Sequence, residues 1–121
     1  MDKKEKENKN RAIDINSILT ERFGEKKVEE WKKGFSPRKI NVIIVEDKIA
    51  VLRPVTAREV SEYSMMVANS ELGIDKASSY LLGELWIDGD EELKNDEEYF
   101  ISAMLQLQQV IELKKSSFYR L

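Results

Sequence analysis

The chain has no cysteine and no histidine among its 121 residues. Without cysteine no disulfide can form, which excludes a small, bridge-stapled scaffold of the secreted type. Without either residue there is no zinc finger, no cysteine-ligated iron–sulfur cluster, no haem held by these side chains and no Ser–His–Asp triad. Proton transfer at neutral pH would fall to a strongly perturbed carboxylate, lysine or tyrosine, because histidine is its usual carrier. Long apolar runs are missing as well. None exceeds four residues, as at Val42–Val45, against the roughly 18 that a membrane-spanning helix needs. No apolar stretch follows the charged N-terminus, so no signal peptide is expected and the expected compartment is the cytoplasm. Glycines at Gly24, Gly34, Gly73, Gly83 and Gly89 are scattered and make no phosphate-cradling motif.

An excess of one charge is also missing. Twenty Lys and Arg face 23 Asp and Glu, for a net charge of −3. A nucleic-acid binder would be basic or carry a basic stripe, so none is expected here. What is present is 41% hydrophobic residues, enough for a real core and too many for a disordered chain. The length suits one domain.

Residues 1–11 are almost wholly polar, with bases at Lys3, Lys4, Lys6, Lys9 and Arg11 against acids at Asp2, Glu5 and Glu7. They bury nothing apolar and read as a flexible charged tail. A single α+β domain is expected over 12–121: a helical extension at 12–35, a hairpin at 39–53 and a helical part at 57–121. In the extension, Ile13, Ile15, Ile18, Leu19 and Phe23 mark one short helix stopped by Gly24. Val28 and Trp31 mark a second over Glu25–Lys33, ended by Gly34. Ser36-Pro37 then breaks any helix.

Lys39–Glu46 (KINVIIVE) is rich in β-branched residues and reads as a strand, with Ile49–Leu52 as a second. Asp47-Lys48 has the length of a tight hairpin loop. A two-stranded hairpin is marginal alone, so helices, or a further strand supplied by a partner, must complete it. Thr56 and Glu59 then write a capping box, with Val55 and Val60 at the positions of a hydrophobic staple. They open a helix over Ala57–Ala68 that buries Val60, Tyr63, Met65 or Met66, and Val67. Asp75 can cap a helix over Lys76–Ile87, burying Ala77, Tyr80, Leu81 and Leu85, with Ile74 a further candidate and Leu82 and Trp86 to one side. After an acidic loop, Asn95 or Asp96 caps a final helix with Phe100, Ala103, Met104, Leu107, Val110 and Ile111 along one stripe. Glu97 and Glu98 at its start, and Lys114 and Lys115 at its end, complement the helix dipole. Phe118, Tyr119 and Leu121 put apolar side chains at the terminus, as a docking tail or as the end of the helix packed back.

Between Trp86 and Glu98 seven acids face one base, Lys94. An EF-hand loop begun at Asp88 would want glycine sixth and glutamate twelfth. Those places hold Leu93 and Tyr99, so the motif fails. A loose divalent cation contact, a docking surface for a basic partner, and simple acidic caps on the next helix all remain open. Paired carboxylates for glycoside hydrolysis would need an apolar pocket that the pattern does not supply. Met65, Met66 and Met104 fill the core or form an adaptable partner surface. The candidate partner-binding residues are Arg53, Trp86, Asp88, Asp90, Glu91 and Glu92. No catalytic, cofactor or metal-ligating residue is expected.

Two stretches carry a resemblance. Ile49–Val60 (IAVLRPVTAREV) looks like a strand-to-helix signature of small proteins from tailed bacteriophages and prophages. Tyr80-Leu81-Leu82, Trp86–Leu93, Asp96-Glu97, Phe100, Ala103 and Gln106-Leu107 resemble the second half of the same proteins. The chain is thus similar to tail assembly chaperone-like proteins over Lys39–Leu121, roughly two-thirds of its length. Many relatives carry cysteine where this chain has Leu85, a change that keeps the position apolar. The resemblance implies a small, non-enzymatic protein that holds aggregation-prone tail components, the tape measure or the tail tube, before assembly. A virion component such as a head–tail or tail-tube accessory is the alternative, and a divalent-metal enzyme using Asp88, Asp90 and Glu92 a more distant one. Nucleic acid and membrane are not expected partners, and a homo-oligomer is left open.

Overall fold

The computed structural model describes residues 15–111 and 119–120. The expected α+β class is what the chain adopts. It divides into two compact units, up to Arg38 and from Lys39 onward.

In the first unit residues 15–23 are helical (α1), and α2 spans Glu25–Phe35. Gly24 separates them at φ 92°, a conformation glycine adopts without a Cβ penalty. Gly34 does not end α2 as expected; the helix passes through it to Phe35, since an isolated glycine costs a helix only about 1 kcal/mol. Among the described residues of this unit Leu19 and Val28 are the buried aliphatics, whereas Ile15 and Ile18 are exposed. Phe23 meets Trp31 edge-on with ring centroids 5.3 Å apart. Lys32 Nζ donates to Asn16 Oδ1 at 2.8 Å. Ile13 lies outside the described residues.

The second unit begins with β1 (Asn41–Val45) and β2 (Lys48–Leu52), paired antiparallel from Asn41↔Leu52 to Val45↔Lys48. The register puts the two-residue loop at Glu46-Asp47, one place earlier than the spacing suggested, with Glu46 at φ 55°. Next come α3 (Ala57–Ala68), α4 (Gly73–Leu85), β3 (Trp86–Gly89), a single turn α5 (Glu92–Asn95) and α6 (Glu97–Val110). The sheet order is β1-β2-β3, all antiparallel.

The third strand is the main departure from expectation. Trp86 and Ile87 continue the apolar arc of α4 in sequence, but the helix stops at Leu85. Two tertiary partners divert the chain there. The Arg53 N–H donates to the Leu85 carbonyl at 2.8 Å, and Leu52 pairs with Trp86. The strand that completes the hairpin is therefore supplied by the chain itself. Its ladder is irregular between Val51 and Leu52, and runs through Val51↔Asp88 to Ala50↔Gly89.

The start of α4 also moves. Asn69 Oδ1 accepts from Glu71 N–H, and the Asn69 carbonyl accepts from the Leu72 and Gly73 N–H groups. This turn starts the helix at Gly73 and leaves Asp75 inside its first turn rather than at its cap. Ile74 is exposed. Elsewhere the local signals hold. The Thr56–Glu59 capping box forms, Val55 is buried and Val60 packs on the core. Asp96 Oδ1 accepts from Glu98 and Tyr99 N–H at 3.0 and 3.3 Å, capping α6. Lys114, Lys115 and Phe118 lie outside the described residues, as does Leu121; Tyr119 is exposed.

The core of this unit gathers Ile43, Ala50 and Leu52 from the sheet, Tyr63 from α3, Leu81, Leu82 and Leu85 from α4, Leu93 from α5, and Ala103 and Leu107 from α6. Each fully buried leucine contributes about 2 kcal/mol from area alone. Of the methionine pair, Met66 packs against this core while Met65 is 71% exposed. Val67 is exposed too. Val60 and Met66, each three residues from Tyr63, share its core-facing side of the helix; Met65, two residues away, does not, and Val67 lies near the helix end where the packing stops.

Candidate functional site

Arg53 is the only basic member of the candidate set, and its side chain is turned to Glu59. Its Nη1 lies 2.5 Å from Glu59 Oε1 and also donates to the Pro54 carbonyl at 3.2 Å. Glu59 accepts further bonds from the Thr56 N–H and hydroxyl. Burial would raise the Glu59 carboxyl, but the Thr56 hydroxyl and the Arg53 guanidinium outweigh it and hold it down to about 2. The pair clamps the β2-to-α3 junction. Glu59 is 4% exposed, so this charge faces the protein rather than a ligand.

The aspartates of the acidic segment are spent on backbone N–H groups. Asp88 Oδ1 accepts from Gly89 N–H at 2.8 Å. Asp90 Oδ2 accepts from Ile49 N–H at 2.9 Å, while the Asp90 N–H donates to the Ile49 carbonyl at 2.8 Å. Asp90 thereby extends the β2–β3 ladder past the end of the strand. Glu91 pairs with Lys94 at 3.0 Å, and Lys94 Nζ sits 4.2 Å from the centroid of the Trp86 ring. Such a cation–π contact is worth about 1 kcal/mol when partly exposed. Trp86 is half-buried and packs on the core, so it is an anchor with one face covered by Lys94. Glu92, Glu97 and Glu98 point their charge to solvent. Among the described residues no three carboxylates converge to hold a metal ion.

The structure thus brings Trp86, Asp88, Asp90, Glu91 and Glu92 together on β3 and the turn into α5, and ties Arg53 separately to the start of α3.

A second surface stands out further along α3. An open groove of about 330 Å³ runs between α3 and α4, lined by Glu62, Met65, Met66, Asn69, Leu72 and Tyr80. Its floor is apolar and flexible, since unbranched thioether side chains adapt to irregular partners. The methionine pair was the sequence signal for it. Leu72 and Tyr80 could not be read in advance, because the groove exists only once the Asn69 turn folds α4 back along α3.

No protein family model, curated protein or solved structure matches the chain.

Proposed function

We propose that this chain works by binding other proteins, without chemistry of its own, and that it holds bacteriophage tail components during assembly. The observation that carries the binding reading is the methionine-lined groove between α3 and α4, with Met65 71% exposed at its edge. A large, flexible apolar side chain left in water beside an apolar groove is the composition of an adaptable docking surface. A high density of charge, 36% of residues, keeps such a protein in solution. The choice of tail components as partners rests on the resemblance carried by Ile49–Val60 and the later stretch from Tyr80 to Leu107.

The test is co-expression with the tape-measure and tail-tube proteins of the same genome. The soluble yield of one of them should rise several-fold, and Met65→Glu should remove the effect while leaving the fold intact by circular dichroism. The chain should be missing from purified virions. Recovery at fixed copy number in the particle would replace holding with the virion-component reading.

A further inference from the structure

The outer edge of the sheet at β1 carries an inference about how the chain avoids pairing with itself. In the β1–β2 ladder Val45 and Lys48 flank the tight loop, and antiparallel residues alternate between bonding their partner and bonding outward. The parity is fixed independently at β2, where Ile49 exchanges its bonds with Asp90 on the far side. Ile44, opposite Ile49, therefore directs its N–H and carbonyl away from β2, and so does Val42. This edge is NVIIV, almost wholly β-branched, the composition most prone to edge-to-edge addition. One outward group is occupied: Gln106 of α6 donates its Nε2 to the Ile44 carbonyl at 3.0 Å.

We propose that Gln106 guards this edge against antiparallel pairing with β1 of a second copy. The pairing it blocks is defined by the register. Two β1 strands laid antiparallel about Ile43 put Val42 of each opposite Ile44 of the other. Each Val42–Ile44 couple would exchange N–H···O bonds, and the apolar side chains of the couple would lie side by side. The seam is two-fold symmetric and self-complementary, which is why a second copy suits it. Every bond donated by a Val42 N–H across it ends on the Ile44 carbonyl, the atom that Gln106 already holds. The outward N–H groups of Val42 and Ile44 have no partner among the described residues, so the guard acts at the acceptor.

The test compares the full chain with Gln106→Ala and with Gln106→Glu, which keeps the size but replaces the donor with an acceptor. Light scattering across a concentration series and hydrogen exchange at the Val42 and Ile44 amides are the readouts. The native chain should exchange both amides rapidly at all concentrations. A folded Gln106 variant should gain a concentration-dependent doubling of mass together with at least tenfold slower exchange at these two amides. Val42→Pro added to that variant should reverse the doubling of mass and the slowed exchange at Ile44, because it deletes an outward donor and leaves the β1–β2 ladder whole. Folded Gln106 variants that match the native chain in mass and exchange would overturn the proposal. So would a native chain already protected at Val42 and Ile44 by self-association.

Discussion

The Arg53 guanidinium meets the Glu59 carboxylate at 2.5 Å, joining the end of β2 to the first turn of α3. The two partners are unequally placed, Arg53 with 27% of its side chain exposed and Glu59 with 5%. Removing either one has different consequences. Arg53→Ala strands a buried carboxylate and should cost about 3 kcal/mol, while Glu59→Gln leaves a guanidinium that can rehydrate and should cost about half as much. Urea unfolding followed by circular dichroism measures both, and the order of the two variants is the discriminating result.

The same pair sets a pH dependence. The folded Glu59 carboxyl lies at about 2, below its ordinary 4.5. A depressed folded value means that the contribution is fully present above 4.5 and is lost as the pH falls toward 2. Stability of the native chain should therefore fall more steeply than that of Glu59→Gln between pH 4.5 and 2, and the two curves should run parallel above pH 5.5. Parallel curves throughout would remove Glu59 as the titrating group.

Gly89 is required by space as well as by conformation. It sits at φ 149°, and a Cβ there would lie 2.4 Å from the Ile49 carbonyl oxygen and 2.7 Å from Ala50 Cα. Both neighbours are backbone of β2, which cannot give way without breaking the β2–β3 ladder. Gly89→Ala should destabilise by about 3 kcal/mol or more. The near-ultraviolet signal of Trp86, which stands on the same strand, should change with it.

Glu46 is held at φ 55° in the β1–β2 loop, where a side chain other than Gly, Asn or Asp is strained. Among the described residues its carboxylate accepts just one long bond, from the Tyr99 hydroxyl at 3.3 Å and exposed. Glu46→Gly or Glu46→Asn should raise stability by about 0.5–1 kcal/mol, read as an upward shift in melting temperature.

Much of the helical layout was legible because its signals are local. Thr56 and Glu59 lie three residues apart, and the box they write needs nothing but the first turn of α3. Asn95 or Asp96 as a cap and the stripe from Phe100 to Ile111 mark α6 in the same way, and the structure selects Asp96. The role of Asp90 was not legible, because its partner, Ile49, is 41 residues away. The pattern marked Asp88 and Asp90 as charge for a partner. Folding uses both on backbone N–H groups, and Arg53 on Glu59.

By itself, then, the sequence determined the α+β class, the boundaries of α3, its capping box, the start of α6 to within a residue, and the absence of cysteine and histidine chemistry. Each depends on residue identity or on neighbours within about one helical turn. Only the tertiary structure decided that Trp86 leaves α4 for a third strand and that Met65 faces water while Met66 packs inward. It also decided that Gln106 meets the edge of β1. In a short apolar stretch helix and strand differ little in local free energy. The Leu85 carbonyl bonded by Arg53, and the open place beside β2, therefore settle the outcome from a distance.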